Sequence, residues 1–119
     1  MRRAFVHEAA VGLAPDADLQ APGAAITAAL CGHSEHPPPC PLAAHHTAAE
    51  RAGDEACLRT LFATEPDLEQ LVRQRIAGAL AEGRWSGPDG TLSRWHLLHS
   101  GAGTVRADET DHAQRLVRG

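Results

Sequence analysis

The chain reads as an α+β protein, a two-layer sandwich in which a small, mostly antiparallel sheet carries one long helix, a C-terminal helix and a short helix inside a loop. Three observations predict it. Residues Ala4 to Leu13 alternate with the period of a half-buried strand, placing Phe5, His7, Ala9, Val11 and Leu13 on one face. Between Thr64 and Gly83, Leu68, Leu71, Val72, Ile76, Ala79 and Leu80 form an apolar stripe at helical spacing. Turn clusters then separate the remaining short apolar runs.

In chain order, Ala14-Pro-Asp-Ala-Asp18 is turn chemistry that reverses the first strand. Gly23 to Cys31 is alanine-rich, which favours helix, yet Ile26, Ala28 and Leu30 also fit a strand buried on both faces, and the strand is the reading adopted. Residues 32–53 form a long Cys/His/Pro-rich loop with its own short helix: Cys40 as N-cap, Pro41 in the first position, and Leu42, His45, His46 and Ala49 recurring along one face until Gly53 stops it. Glu55 to Ala63 alternates again, with Ala56, Leu58, Thr60 and Phe62 opposite Cys57, Arg59, Leu61 and Ala63.

Thr64-Glu-Pro-Asp67 resembles a capping box and opens a helix from about Glu65 to Glu82, with Arg73 on its wet side and Gly83 as the stop. Ser86-Gly-Pro-Asp-Gly90 is a turn before a strand over Thr91 to His99, with Trp95 and Leu97 on one face. Ser100-Gly-Ala-Gly103 closes a hairpin onto Thr104 to Arg106. Asp108 caps a last helix in which His112, Ala113, Leu116 and Val117 share a face. The expected order is β-β-helix-β-α-β-β-α.

With 119 residues and 43% hydrophobic content, residues 1–119 fit one domain with one core. Phe5, Phe62, Trp85 and Trp95 are the only aromatics, so that core is aliphatic and alanine-rich. Every basic residue is arginine, and lysine, asparagine and tyrosine are absent, a bias read as that of a GC-rich bacterium. It excludes lysine Schiff-base and tyrosine acid–base chemistry. A net charge of −4 with scattered arginines argues against a nucleic-acid partner. The first residues lack the apolar run of a signal peptide, and no segment suits a membrane span, so a cytoplasmic protein with no membrane partner is expected.

The chemistry concentrates in Cys31-Gly-His33-Ser-Glu35-His36-Pro-Pro-Pro-Cys40-Pro-Leu-Ala-Ala-His45-His46, a C-x-H-x2-H-x3-C-x4-H-H pattern. Thiolate and imidazole together suit a transition metal, zinc first, with Cys31, His33, His36, Cys40, His45 and His46 as the candidate ligands. Cys31, Cys40, one of His33 or His36 and one of His45 or His46 make the natural tetrahedral set. The expected function is a binding or accessory role, the ion fixing the loop.

Two enzyme readings stand beside it. An open metal position could use Glu35 or a spare histidine for proton transfer. Alternatively Cys40, at a helix N-terminus beside imidazoles, could be a nucleophile, against which Pro41 offers no backbone N–H for an oxyanion. A Cys31–Cys40 disulfide is conceivable as a switch. His33-Ser-Glu35 and Pro39-Cys40 overlap the H-x-E and P-C-x-x-C elements of zinc deaminases, but Ala43 stands where the second cysteine belongs. The outlying His7, His96, His99 and His112 read as hydrogen-bonded core or boundary residues, and Cys57 as a small buried hydrophobe.

Overall fold

The structure, a computed structural model, describes residues 1–31 and 43–118. The elements are β1 (Arg3–Leu13), α1 (Ala21–Cys31), β2 (Ala44–Ala52), β3 (Glu55–Thr64), α2 (Glu69–Glu82), β4 (Arg84–Ser86), β5 (Leu92–Gly103) and α3 (Thr110–Arg118), with single 3-10 turns leading into α2 and α3. The sheet order is β2-β3-β1-β5-β4, and every pairing is antiparallel. Strand β3 lies between β1 and β2, which α1 connects, and β1 lies between β3 and β5, which α2 leads towards. Two βαβ units are thereby interleaved, the split βαβ plan. The fold is α+β, as the alternation and the long apolar stripe indicate.

The odd residues of β1 and the even residues of β3 face α1 and α2. They meet Ile26, Leu30, Val72, Ile76 and Leu80 in a buried core centred on Val11, Leu58 and Phe62, and Phe5 stacks on Phe62 at 5.5 Å between ring centroids. The opposite face carries a smaller cluster in which Val6 and Leu61 are covered by Ala113 and Leu116 of α3. Helix α3 therefore covers one end of the second face, and among the described residues no other helix covers the rest of it.

Two expected elements exchange identities. Gly23 to Cys31 is part of helix α1, not a strand. Its buried residues Ala21, Pro22, Ala25, Ile26, Leu30 and Cys31 repeat every three to four positions, and the Asp18 carboxylate accepts the Gln20 N–H at 2.9 Å just ahead of it. Alanine's helix propensity permits the helix, and packing of Ile26 and Leu30 in the core decides for it over an alternation that was ambiguous. Conversely His45 and His46 lie on strand β2, not on a short helix. Its residues alternate between the helix-covered side (His45, Thr47, Ala49, Arg51) and the other, and they pair with β3 from Ala44↔Ala63 to Ala52↔Glu55. Gly53 is not a helix stop. It takes φ +66 as the first residue of the two-residue hairpin turn Gly53-Asp54, the one place in that turn where glycine's freedom is needed. The proposed N-cap Cys40 and first residue Pro41 lie outside the described residues.

Three smaller expectations change. Strand β5 runs without a break through Ser100 to Gly103 instead of turning there, because Gly101 and Gly103 pair with Glu8 and Val6 of β1. Arg73 is buried, not on the wet side: it donates to the Val6 carbonyl at 2.8 Å and to the Glu69 carboxylate at 2.8 Å. At the start of the α2 region Glu65, not Thr64, takes the N-cap position of the leading 3-10 turn, with no side-chain cap. Its end is as expected. Gly83 takes φ +70, and a Cβ there would stand 2.6 Å from the Trp95 carbonyl oxygen, so only glycine fits.

Candidate functional site

Cys31 is the last residue of α1 and Ala44 begins β2, so these elements hold the two ends of the Cys/His segment. His33, Glu35, His36 and Cys40 lie outside the described residues. Cys31 is buried and disulfide-bonded. A sulfur in a disulfide has no thiolate to offer a metal, so its service as a ligand belongs to the reduced form.

His45 points to the helix-covered side of the sheet. Its Nδ1 lies 3.1 Å from the Ala43 carbonyl oxygen and its Nε2 lies 2.9 Å from Thr27 Oγ1. A carbonyl only accepts, so Nδ1 carries the hydrogen and Nε2 presents its lone pair, at present to the Thr27 hydroxyl. This is the tautomer that metal-binding histidines adopt, with the far nitrogen donating to a backbone carbonyl. Burial is the main force lowering the His45 pKa; the Ala43 hydrogen bond works in the other direction, and the His46 charge adds to the lowering. The ring is thus held neutral, as a ligand must be. Thr27 and Cys31 are one turn apart on α1. A polar pocket of about 230 Å³ opens beside it, lined by Gln20, Gly23, Thr27, His45, His46 and Thr47 among others.

His46 borders the same pocket, but its ring is turned elsewhere. Adjacent residues of a strand point to opposite faces, and His46 faces the α3 side, its ring 5.0 Å from that of His112 between centroids. The pair His45/His46 therefore presents its rings to opposite faces of the sheet. Among the described residues, no three or more His, Cys, Asp or Glu side chains are grouped so as to hold a metal.

The open part of the sheet carries a second concentration of chemistry. Cross-strand register aligns Glu50, Cys57, Ala10 and His99 in one row and Ala48, Arg59, Glu8 and Gly101 in the next. Together with the β5–α3 connection these rows line a cavity of about 690 Å³. Arg59 crosses it. It binds Glu109 through two hydrogen bonds of 2.7 and 3.1 Å, pairs with Glu8, and donates to the Thr104 carbonyl at 2.9 Å. The Glu109 hydrogen bond is the largest influence raising the Arg59 pKa, and the same bond holds the Glu109 carboxyl below its ordinary range. Gly103 makes room for this arrangement: a Cβ there would lie 2.7 Å from Glu8 side-chain atoms.

Cys57 is a free thiol and exposed, not a buried hydrophobe. The signal was present in its own strand, since Cys57 alternates onto the face that carries Arg59. His99 was harder to foresee. Alternation with Trp95 and Leu97 assigns it to the helix-covered face, but a bulge in β5, where Ala10 pairs with His99 and Val11 with Leu97, inserts Leu98 and turns His99 to the open face.

The same bulge directs Ser100 towards the helices, 2.7 Å from Nε2 of buried His7. This serine–histidine pair is not a nucleophile and its base. Arg73 Nη1 lies 3.2 Å from His7 Nδ1 and only donates, so Nδ1 accepts and Nε2 carries the hydrogen, which it gives to Ser100. Burial, then the Arg73 charge, lowers the His7 pKa and keeps the ring neutral. Comparison of the chain with protein-family models, with curated proteins and with solved structures found no match. No helix among the described residues is long and apolar enough to cross a membrane.

Proposed function

We propose that this is a small bacterial, cytoplasmic metal-binding protein with a binding or accessory role, its Cys/His segment holding zinc between α1 and β2. The observation that carries the reading is the state of His45. Its hydrogen is committed to the Ala43 carbonyl, its Nε2 lone pair is held by a hydroxyl that an ion can displace, and its ring is kept neutral by burial. Cys31 ends α1, and the sequence between the two supplies His33, His36 and Cys40 as further ligands. His46, turned to the other face, is left out of the set.

Metal uptake in this reading is coupled to thiol state. Reducing the Cys31 disulfide takes two electrons and two protons from a thiol reductant and gives two thiols, whose protons are released as the sulfurs bind the ion. A reducing compartment keeps the binding form populated.

The test is metal content of untagged protein purified under reducing conditions. Wild type is expected to carry one zinc per chain, and Cys31→Ser and His45→Gln to carry substantially less while keeping their far-ultraviolet circular dichroism. Reduced, folded wild type without stoichiometric metal would sink the proposal. Cobalt substitution then separates roles: a four-ligand protein shell gives an absorption spectrum indifferent to added anions, as an accessory site requires. A spectrum that responds to them marks an open position and the enzyme reading, with Glu35 or a histidine moving protons.

A further inference from the structure

His46 and His112 come from distant parts of the chain, and the fold brings them together at the edge where α3 meets β2. His46 stands opposite Leu61 in the β2–β3 register, and Leu61 packs against Ala113, the residue after His112. Both backbone positions are thus set by packing on the same leucine. Their ring centroids are 5.0 Å apart with the planes inclined at 48°. Two imidazoles each bound through one nitrogen to a tetrahedral ion, with metal–nitrogen bonds of about 2.0–2.1 Å, keep their centroids about 5 Å apart.

We propose that His46 and His112 form an exchangeable two-histidine site for a divalent late transition-metal ion, distinct from the site proposed between Cys31 and His45. His46 is exposed and His112 partly so, which lets an ion reach them without opening the fold. Glu109, three residues before His112 in the turn that leads into α3, is engaged by Arg59. Among the described residues no third His, Cys, Asp or Glu is grouped with the pair, so solvent fills the remaining coordination positions and the ion exchanges readily. This inference does not rest on the metal reading of Cys31 and His45.

The test uses full-length Cys57→Ser protein kept non-reducing, so that the disulfide holds Cys31 and no free thiol competes. Copper(II) is the probe because imidazole sites bind it most tightly among the divalent first-row ions. Titration followed by electron paramagnetic resonance should show one copper with two coordinated imidazole nitrogens. Its affinity should fall about tenfold or more in His46→Ala and in His112→Ala, equally in the double variant, and not in His96→Ala. Zinc should raise the thermal midpoint of the parent but of neither single variant, since only a bridging ion ties β2 to α3.

Unchanged affinity in either single variant, or a double variant much weaker than both singles, would overturn the proposal, because independent single-histidine binding behaves that way. With the disulfide intact, failure here leaves the Cys31–His45 reading standing. Failure of that reading leaves this one standing.

Discussion

The two faces of one sheet are built on opposite principles. Beneath α1 and α2, Val11, Leu58 and Phe62 are buried with Ile26, Ile76 and Leu80, and the polar groups admitted there are fully bonded: His7 to Ser100 and Arg73, and Arg73 to Val6 and Glu69. On the open side, Glu8, Arg59 and Glu109 form an ion-pair network over a cavity floored by Ala10 and Ala48, with Cys57, His99 and Glu50 reaching solvent. The covered face is where the chain's stability resides. The open face tolerates charge and an exposed thiol because water solvates what the protein leaves unpaired. Alternation along each strand is enough to keep the two chemistries a few ångströms apart.

The largest expected effect is on the covered face. Phe62→Ala removes a fully buried ring at the centre of the core and should lower unfolding free energy by about 3–5 kcal/mol, measured by urea denaturation. A loss below about 1 kcal/mol would mean that this face does not hold the fold. The next effect is a pH dependence. The His7 pKa is lowered in the folded chain, by burial and then by Arg73, so the unfolded chain takes up the proton first as pH falls. Stability contributed by neutral His7 is fully present above the ordinary histidine pKa of about 6.5 and is lost as pH drops below it towards the folded value. Denaturation midpoints at pH 7.5 and 5.5 should therefore differ more in wild type than in His7→Gln, and equal slopes would contradict the bonding assigned to this ring. The smallest effect belongs to the open face. Cys57→Ser should change stability by no more than about 0.5 kcal/mol, while wild-type Cys57 reacts with a thiol reagent in the native state. Protection of Cys57 from the reagent would show that the cavity is covered in solution.

Much of the fold was legible locally. The α2 stripe, the β1 and β3 alternations, the Ser86–Gly90 turn and the Gly83 stop each depend on neighbours within a few residues. The two exchanged elements show where local reasoning gives way. An alanine-rich run such as 23–31 has no strong period, and packing of Ile26 and Leu30 against α2 and the sheet decided for helix. His45 and His46 sat at a spacing compatible with a helical face, yet hairpin pairing across Gly53 made them a strand. That single change separated two candidate ligands, since neighbours on a helix lie about 100° apart whereas neighbours on a strand lie on opposite faces.

The sequence by itself determined the α+β class, the long helix and its stop, the two faces of β3, and the concentration of thiols and imidazoles between Cys31 and His46, because each of these follows from composition or from short-range period. Only the tertiary structure decided which imidazole faces which neighbour. His45 meets Thr27, His46 meets His112, and His99 reaches the open face through a bulge. Those outcomes depend on strand register and on which helix covers which face, and both are set by contacts between residues far apart in the chain.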